Sequence, residues 1–580
     1  MVLANTTLGP ILGLALATGV DQFLGVPYGH AERFRAAEVR VAPYGQRPLP
    51  ALKFGPACLQ FLNNVSTYGD EYTCFVLNIW RPRNVSVGDN LPVLVYVPGG
   101  ENAFGEAGPY NASELAAAQN SIVVGVNYRV GPFGFLAFAD DVAGGNATGN
   151  WAQTDIQAAL RWVRREIGAF GGDAKRTTLF GQSSGGGLVL LHAFMPSSRG
   201  LVQGLVAQSG TLAAQGPVAW LKNTHTIATA CNCSGRGFKS IRLCLEATDA
   251  ATIIQAQGVS CANPNVCLIS TSWAPAIDGI ALPGKPSELL AKGAINRPLS
   301  VVVGLNTNDT NLFVSGLTQG LTVKGKVLPV PAFAYKAFLR LLTLKKNGTY
   351  YDRLVALYPP HEGHPFYNHS DRIGWVLSDK ALCAISRLAR SFARSGAATY
   401  AYRHDHFFTS NTVCTAVPNY HAPALGAMHQ DELDFVFGQP IFMDLGGVLP
   451  NCSVEGAPAY NPTCRDCVFN ALELVYSKEV GRLWTNFAST GNPNARKGVV
   501  YEMEEEEEWP AVTVNGTVRN VLLRPSGAAV QRMGSEPVMG RPKSCALWDE
   551  IDGESGEDEA MMGTAEVREA IEAALRVSEI

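Results

Sequence analysis

The stretch Thr177–Met195, TTLFGQSSGGGLVLLHAFM, decides how this chain is read. Thr177–Phe180 is a short β-branched and aromatic run, a buried strand by pattern, and Leu188–Met195 is apolar enough for a helix buried on most sides. Between them Gly181-Gln182-Ser183-Ser184-Gly185 is a G-x-S-x-G in the strand-to-helix setting that gives this pattern meaning. A chain turning abruptly from strand into helix strains its central serine, so a Cβ two residues to either side would clash. Ser183 then stands clear of the turn as a candidate nucleophile. The helix N-terminus beneath it favours negative charge, and the Ser184 amide is available to an oxyanion. The motif is short, and a chain with 59 glycines produces chance matches. A nucleophile also needs an acid and a histidine from elsewhere.

The bulk composition narrows the class. A 580-residue chain with 47% hydrophobic and 17% charged residues describes a globular protein with a large core. A net charge of −4 provides no electrostatic case for nucleic acid or an anionic membrane. No run approaches the ~18 consecutive apolar residues of a membrane span, so no transmembrane segment is readable. Thirteen cysteines accompany eleven N-x-S/T sequons, at Asn5, Asn64, Asn84, Asn111, Asn146, Asn232, Asn308, Asn347, Asn368, Asn451 and Asn515. That density points to the secretory route, where disulfides persist. Residues 1–20 carry no basic n-region, and Gly9-Pro10 interrupts the apolar stretch, so no signal peptide is visible and the true start is expected upstream of Met1.

Leu91–Val97 and Ser121–Val126 read as buried strands, followed by Thr177–Phe180, Leu201–Ala207, Leu299–Gly304 and Thr399–Arg403. Thr154–Ile167 places Ile156, Leu160, Val163 and Ile167 on one helical face, with Arg161, Arg164 and Arg165 off it. Strand and helix patterns alternate, which predicts an α/β fold with a mostly parallel sheet flanked by helices on both faces. There is no internal repeat. Five consecutive glutamates within Met503–Glu508 read as a solvated loop. Glu550–Ile580 is acidic, with a terminal helix expected near Thr564–Val577, so the chain divides into residues 1–548 and an appended tail, 549–580. His404 and His406 form an H-x-H with no recognisable third ligand, and they read as polar residues at a strand end rather than as a metal site.

Met428–Gly438, MHQDELDFVFG, is a histidine and a short polar loop followed by an apolar run. Taken with Asn78-Ile79-Trp80, Asn127–Leu136 (NYRVGPFGFL), Phe170–Asp173 (FGGD), the serine turn and Leu483–Asn494 (LWTNFASTGNPN), it resembles the carboxylesterase/cholinesterase family (type-B carboxylesterases) of α/β-hydrolases. The resemblance runs in order from about Gly9 to about Trp548. It implies the α/β-hydrolase fold and the chain order serine, acid, histidine. The acid falls at Asp309 within Gly304–Phe313 (GLNTNDTNLF), where the family usually has glutamate; an aspartate in a turn is otherwise a helix cap. Asn308 heads a sequon beside it, where a glycan is not expected. His429 would take the Ser183 proton and return it to the leaving alcohol, with Asp309 fixing its tautomer.

The resemblance also marks departures. Where the family has three small residues after the Leu91–Val97 strand, this chain has Pro98-Gly99-Gly100-Glu101-Asn102. Backbone N–H groups make an oxyanion hole, so Gly100 and Glu101 are expected to donate alongside Ser184. The Glu101 side chain must turn away, or it would oppose the oxyanion. Loss of one such donor costs roughly 2.7–4 kcal/mol in other hydrolases. Gln182 replaces a frequent glutamate and drops a charge beside the substrate. No tryptophan lies between Cys58 and Cys74, so the cation site of a cholinesterase is not expected. Ile269 and Thr271, ahead of Trp273, would line a roomier acyl pocket.

The implied disulfides are Cys58–Cys74, one of Cys231 or Cys233 with Cys244, and Cys383–Cys545. Cys261–Cys267 and pairs among Cys414, Cys452, Cys464 and Cys467 are further possibilities. The expected function is hydrolysis of small-molecule carboxylic esters through an acyl-enzyme on Ser183, needing no cofactor or metal. The alternatives are a catalytically silent adhesion or interaction protein, or a lipase for long acyl chains.

Overall fold

A computed structural model describes residues 1–62, 65–234, 238–259, 273–314, 322–323, 326–327, 330–343, 349–360, 369–407, 426–439, 469–494, 508–514, 518–525, 527–532 and 541–553. Among these, thirteen strands join one sheet. In chain order its path contains β1 (Val2–Thr6), β2 (Gly9–Ala15), β3 (Val20–Pro27), β4 (Val76–Pro82), β5 (Leu91–Val97) and β6 (Ile122–Val126). It continues with β7 (Gly172–Gln182), β8 (Gly204–Gln208), β9 (Ser300–Asn306), β10 (Ala398–His404), β11 (Arg519–Arg524) and β12 (Gly527–Arg532). In space they run β1-β2-β3-β4-β6-β5-β7-β8-β9-β10-β11-β12, and Leu49–Pro50 pairs with β2 off this path. Every pairing from β6 to β11 is parallel, and antiparallel strands close both edges.

The strand pattern explains the layers. Every residue of β5 and β6 is buried, as a parallel sheet covered on both faces requires. Alternate side chains serve opposite faces. Val93, Val95, Val97, Leu179, Leu205 and Val301 enter one core with helix α1 (Trp151–Glu166), α2 (Ser184–Leu191) and α3 (Ser370–Arg394). Leu94, Tyr96, Phe180, Val206 and Val302 enter the other with α4 (Asp431–Phe437) and α5 (Ala471–Thr490). This is the α/β-hydrolase arrangement. No helix among the described residues is long and apolar enough to cross a membrane.

Some boundaries differ from the sequence reading. β7 begins at Gly172 and reaches Gln182, and β8 begins only at Gly204, because Ser198–Leu201 closes a turn first. The helix expected at Leu188–Met195 is Ser184–Leu191. Its first turn is the glycine run, where contact with the sheet outweighs poor helix propensity: a Cβ on Gly185 would lie 2.3 Å from the Val97 carbonyl oxygen. Beyond Leu191 the chain tightens into i→i+3 bonds, Ala193 N–H to Leu190 O and Phe194 N–H to Leu191 O.

Disulfides join Cys58–Cys74, Cys233–Cys244 and Cys383–Cys545. Cys231 is a buried free thiol, so geometry selects Cys233 from the two candidates. Cys261, Cys267, Cys414, Cys452, Cys464 and Cys467 lie outside the described residues. Helix α6 (Arg541–Gly553) runs through the boundary drawn after Trp548. It packs on α3 through Cys545, buried Trp548 and Ile551, and Arg387 ion pairs to Asp549 at 2.7 Å and Asp552 at 2.8 Å. Residues 554–580, with the helix expected at Thr564–Val577, lie outside the described residues, as do 504–507 of the glutamate run.

Candidate active site

Parallel strands deliver their C-terminal ends to one edge of the sheet, the usual place for a ligand crevice in such folds. Ser183 follows β7 there with φ 58° and ψ −132°, a conformation non-glycine residues rarely adopt and that costs about 1–3 kcal/mol. Two backbone bonds hold it: Ser183 N–H to Gln208 O at 2.7 Å and Gly187 N–H to Ser183 O at 3.0 Å. The flanking glycines are required by close approach. A Cβ on Gly181 would lie 2.7 Å from Val97 O, and one on Gly99 would lie 3.0 Å from Ser183 Cβ. The serine turn and the turn after β5 are therefore in direct contact.

Asp309 and His429 also come together at this edge. Asp309 sits three residues past β9 and is fully buried, and its Oδ1 accepts the His429 Nδ1–H at 2.6 Å. The second oxygen, Oδ2, accepts from Ser209 Oγ at 2.5 Å and from the Asn306 amide at 3.0 Å. Three donors fix the carboxylate, which is more than a turn cap would need. Burial acts to lower the imidazole pKa, but attraction to Asp309, their hydrogen bond, and Glu432 and Glu101 raise it above the ordinary value. His429 Nε2 is buried and makes no hydrogen bond among the described residues. The Ser183–His429 bond expected from the sequence is therefore not made in this structure, while the Asp309–His429 bond is. Unpaired buried nitrogen is uncommon, and it marks a place where a partner is expected.

Behind the pair lies a support that the sequence reading missed. Glu432 Oε2 accepts from Asn306 Nδ2 at 2.6 Å and Oε1 from Gln208 Nε2 at 3.2 Å, while Trp484 Nε1–H donates to Gln208 Oε1 at 3.3 Å. Burial raises the Glu432 carboxyl to about 7, reinforced by Asp309. Asn306 and Glu432 lie within the two quoted stretches, each three residues from Asp309 or His429. Ser209 carries no such local signal.

The turn after β5 has three successive left-handed residues, Gly100 (φ 120°), Glu101 (φ 57°) and Asn102 (φ 58°). Asn102 secures it: its amide donates to Ser184 Oγ at 3.0 Å, its Nδ2 to Trp273 O at 2.7 Å, and its carbonyl accepts from the Gly131 amide at 2.6 Å. The amides of Gly100, Glu101 and Ser184 have no acceptor among the described residues. Glu101 is half-buried, interacts electrostatically with His429, and is raised to about 7 by burial. Gln182 is buried beside Gly99 with its Nε2 unpaired. Trp273 is buried and contributes its carbonyl to the Asn102 anchor. Ile269 and Thr271 lie outside the described residues.

The NYRVGPFGFL stretch acts as a bracket for this turn. Tyr128 OH donates to Pro98 O at 2.6 Å, Asn127 Oδ1 accepts from the Ala107 amide at 2.8 Å, and Arg129 pairs with Asp155 of α1 at 2.7 Å in full burial. Breaking one side of such a buried pair costs about 3–5 kcal/mol. His404, by contrast, is fully buried with both ring nitrogens unpartnered, and burial holds its pKa well below the ordinary value. No group of three metal-ligating side chains occurs among the described residues.

Residues 2–532 match the Carboxylesterase family. The chain is 31% identical over 549 residues to bile salt-activated lipase from Homo sapiens, covering 90% of this chain and 66% of that one. It is 29% identical to cocaine esterase from Homo sapiens over 84% of this chain and 83% of that one, and 26% identical to carboxylesterase 1C from Mus musculus over 94% and 92%. With its serine turn, its parallel sheet and a match along nearly its whole length, the chain belongs to the carboxylesterase family of α/β-hydrolases, the family of serine-dependent carboxylic ester hydrolases.

Proposed function

We propose that Ser183 attacks the carbonyl of a small-molecule carboxylic ester, with His429 as base and then acid and Asp309 as the residue that orients and electrostatically supports the imidazole. The Ser183 hydroxyl proton passes to Nε2 as the Oγ–carbonyl bond forms, and Nε2 returns it to the alcohol as the acyl–oxygen bond breaks. Water then repeats the sequence on the acyl-enzyme, releasing the acid. The amides of Gly100, Glu101 and Ser184 would hold the oxyanion. The observation that carries this reading is the buried imidazole bound at Nδ1 by Asp309 at 2.6 Å, with Nε2 left unpaired.

A fluorophosphonate probe is expected to label the native protein on Ser183 and to leave the Ser183→Ala chain unlabelled. An unlabelled native protein would favour the alternative of a catalytically silent interaction protein. The names of the bile salt-activated lipases among the relatives favour, as a second reading, a preference for long acyl chains. Relative rates on p-nitrophenyl acetate, butyrate and palmitate separate the two. Three disulfides and exposed sequon asparagines at Asn5, Asn84, Asn146 and Asn232 support maturation in the secretory pathway.

A further inference from the structure

The turn after β5 is moored at both ends. At the inner end Asn102 binds Ser184 and Trp273. At the outer end stands Gln60, which belongs to the loop closed by the Cys58–Cys74 disulfide and is only 2% exposed. Its Oε1 accepts the Gly105 amide at 2.7 Å, and its Nε2 donates to the Gly105 carbonyl at 3.3 Å and to the Cys58 carbonyl at 2.9 Å. One side chain thus holds both backbone polar groups of Gly105. A flipped amide would set donor against donor and acceptor against acceptor, so its orientation is determined by its partners. Gly105 has φ 129°, and a Cβ there would lie 2.3 Å from the Gly99 carbonyl oxygen. A Cβ on Gly100 would lie 2.2 Å from the Phe104 carbonyl oxygen, so the turn closes tightly on itself. Gly99 in turn abuts Ser183. Close contact therefore runs from Gln60 through Gly105 and Gly99 to the nucleophile, and the amides of Gly100 and Glu101 lie between the two moorings.

We propose that Gln60 is a positioning residue, which aims the Gly100 and Glu101 amides at the oxyanion by fixing Gly105 against Gly99. This rests on ester hydrolysis at Ser183. The turn cannot hold its own place: the amides of Ala103 and Phe104 both donate to the Gly100 carbonyl, which shapes the loop without tying it to its surroundings. Gln60 supplies that tie from a firm base. The disulfide joins Cys58 to Cys74, two residues before β4 of the central sheet. Asn127 bridges the same two segments, donating to the Pro56 carbonyl at 2.9 Å and accepting from the Ala107 amide at 2.8 Å. Donors to an oxyanion are effective because they are already in place when the charge develops. Without Gln60 the substrate pocket would remain but the two amides would be less well aimed, so the loss falls on kcat rather than on KM.

Substitutions at Gln60 test this, read on p-nitrophenyl butyrate and on the inhibitor octyl trifluoromethyl ketone. The ketone carbon takes up Ser183 Oγ, the hydroxyl proton passes to His429 Nε2, and the former carbonyl oxygen becomes an oxyanion, so its affinity reports on the hole itself. Gln60→Met keeps the length of the side chain and loses all three bonds. Its kcat is expected to fall about thirtyfold with KM within about twofold, short of the roughly 10²–10³-fold cost of deleting a donor outright. Ketone affinity should fall by a similar factor. Gln60→Asn, which withdraws the amide by one methylene, is expected to act alike and decides the matter should the Met variant not fold. Gln60→Glu keeps an acceptor for the Gly105 amide and should bring kcat back to within about fivefold of native. Asp70→Ala, which removes the acceptor of the Tyr72 and Thr73 amides in the same disulfide loop, is the control and should stay within about twofold. Native kcat in Gln60→Met, a loss confined to KM, unmoved ketone affinity, no recovery in Gln60→Glu or an equal loss in Asp70→Ala overturns the assignment. Any of these with Ser183→Ala inactive leaves ester hydrolysis at this site standing. Hydrolysis that persists in Ser183→Ala overturns both.

Discussion

Two histidine–carboxylate pairs stand at the same edge of this sheet, and they are not equivalent. His429 meets Asp309 at 2.6 Å in full burial, whereas His406, just beyond β10, meets Glu473 at 3.3 Å and keeps some exposure. Burial acts to lower both imidazoles. In His406 that influence wins, and its pKa falls despite Glu473. In His429 a closer carboxylate, with Glu432 and Glu101 adding to it, reverses the outcome. The nitrogens differ as well: His406 spends Nε2 on Glu473, while His429 spends Nδ1 on Asp309 and keeps a buried Nε2 unpaired. Glu473 has another task, closing the capping box with Asn470 at the start of α5. A histidine beside an acid is thus a poor marker of chemistry. An acid held by fixed donors, and a far nitrogen left unpaired, make a better one.

The largest test of that contrast is to remove each imidazole. His429→Ala is expected to lower kcat on p-nitrophenyl butyrate by a factor on the order of 10⁶, as loss of the base does in other serine hydrolases. His406→Ala should stay within about twofold of the native rate. Equal losses would dissolve the distinction.

A smaller effect is expected from Ser209→Ala, which removes one of three donors to Asp309. The carboxylate then becomes a stronger acceptor for His429 and is less firmly held. Because a protonated imidazole cannot accept the serine proton, activity is lost as pH falls through the His429 value. The acid limb of kcat/KM should therefore lie above the ordinary ~6.5 in the native protein and move higher in the variant, with kcat reduced about tenfold. A lower rate with an unmoved limb would make Ser209 merely structural.

The smallest effect concerns the other pair. Glu473→Ala breaks the capping box and should cost about 1 kcal/mol, read as a lower Tm or denaturant midpoint, with kcat/KM unchanged. A large loss of activity would show that His406 and Glu473 reach the chemistry after all.

Much of the frame was legible because its causes are local. The continuous apolar runs Leu91–Val97 and Ile122–Val126 announce strands covered on both faces, and they occupy adjacent positions in the parallel sheet. The glycines around Ser183 announce the close crossing of β5, β7 and α2. Helix limits were less legible: Gly185–Gly187 form a first turn that propensity argues against, because a Cβ on Gly185 would meet the Val97 carbonyl at the end of β5, one on Gly186 the Gly181 carbonyl, and one on Gly187 the Thr211 carbonyl. Ser209 was invisible, since a serine after a strand has no period or spacing that marks it as a donor to a carboxylate 100 residues away.

By itself the sequence determined the elements whose physics acts over a few residues, the buried parallel strands and the serine turn, while the segments that supply an acid and a histidine were marked by the family resemblance. Tertiary structure alone decided that Asp309 meets an imidazole 120 residues later and that Cys233 rather than Cys231 bonds to Cys244. Periodicity and turn chemistry are written in neighbouring side chains. Which distant groups share a hydrogen bond, and how much water is left around them, depends on how the sheet is wound and what packs over its edge.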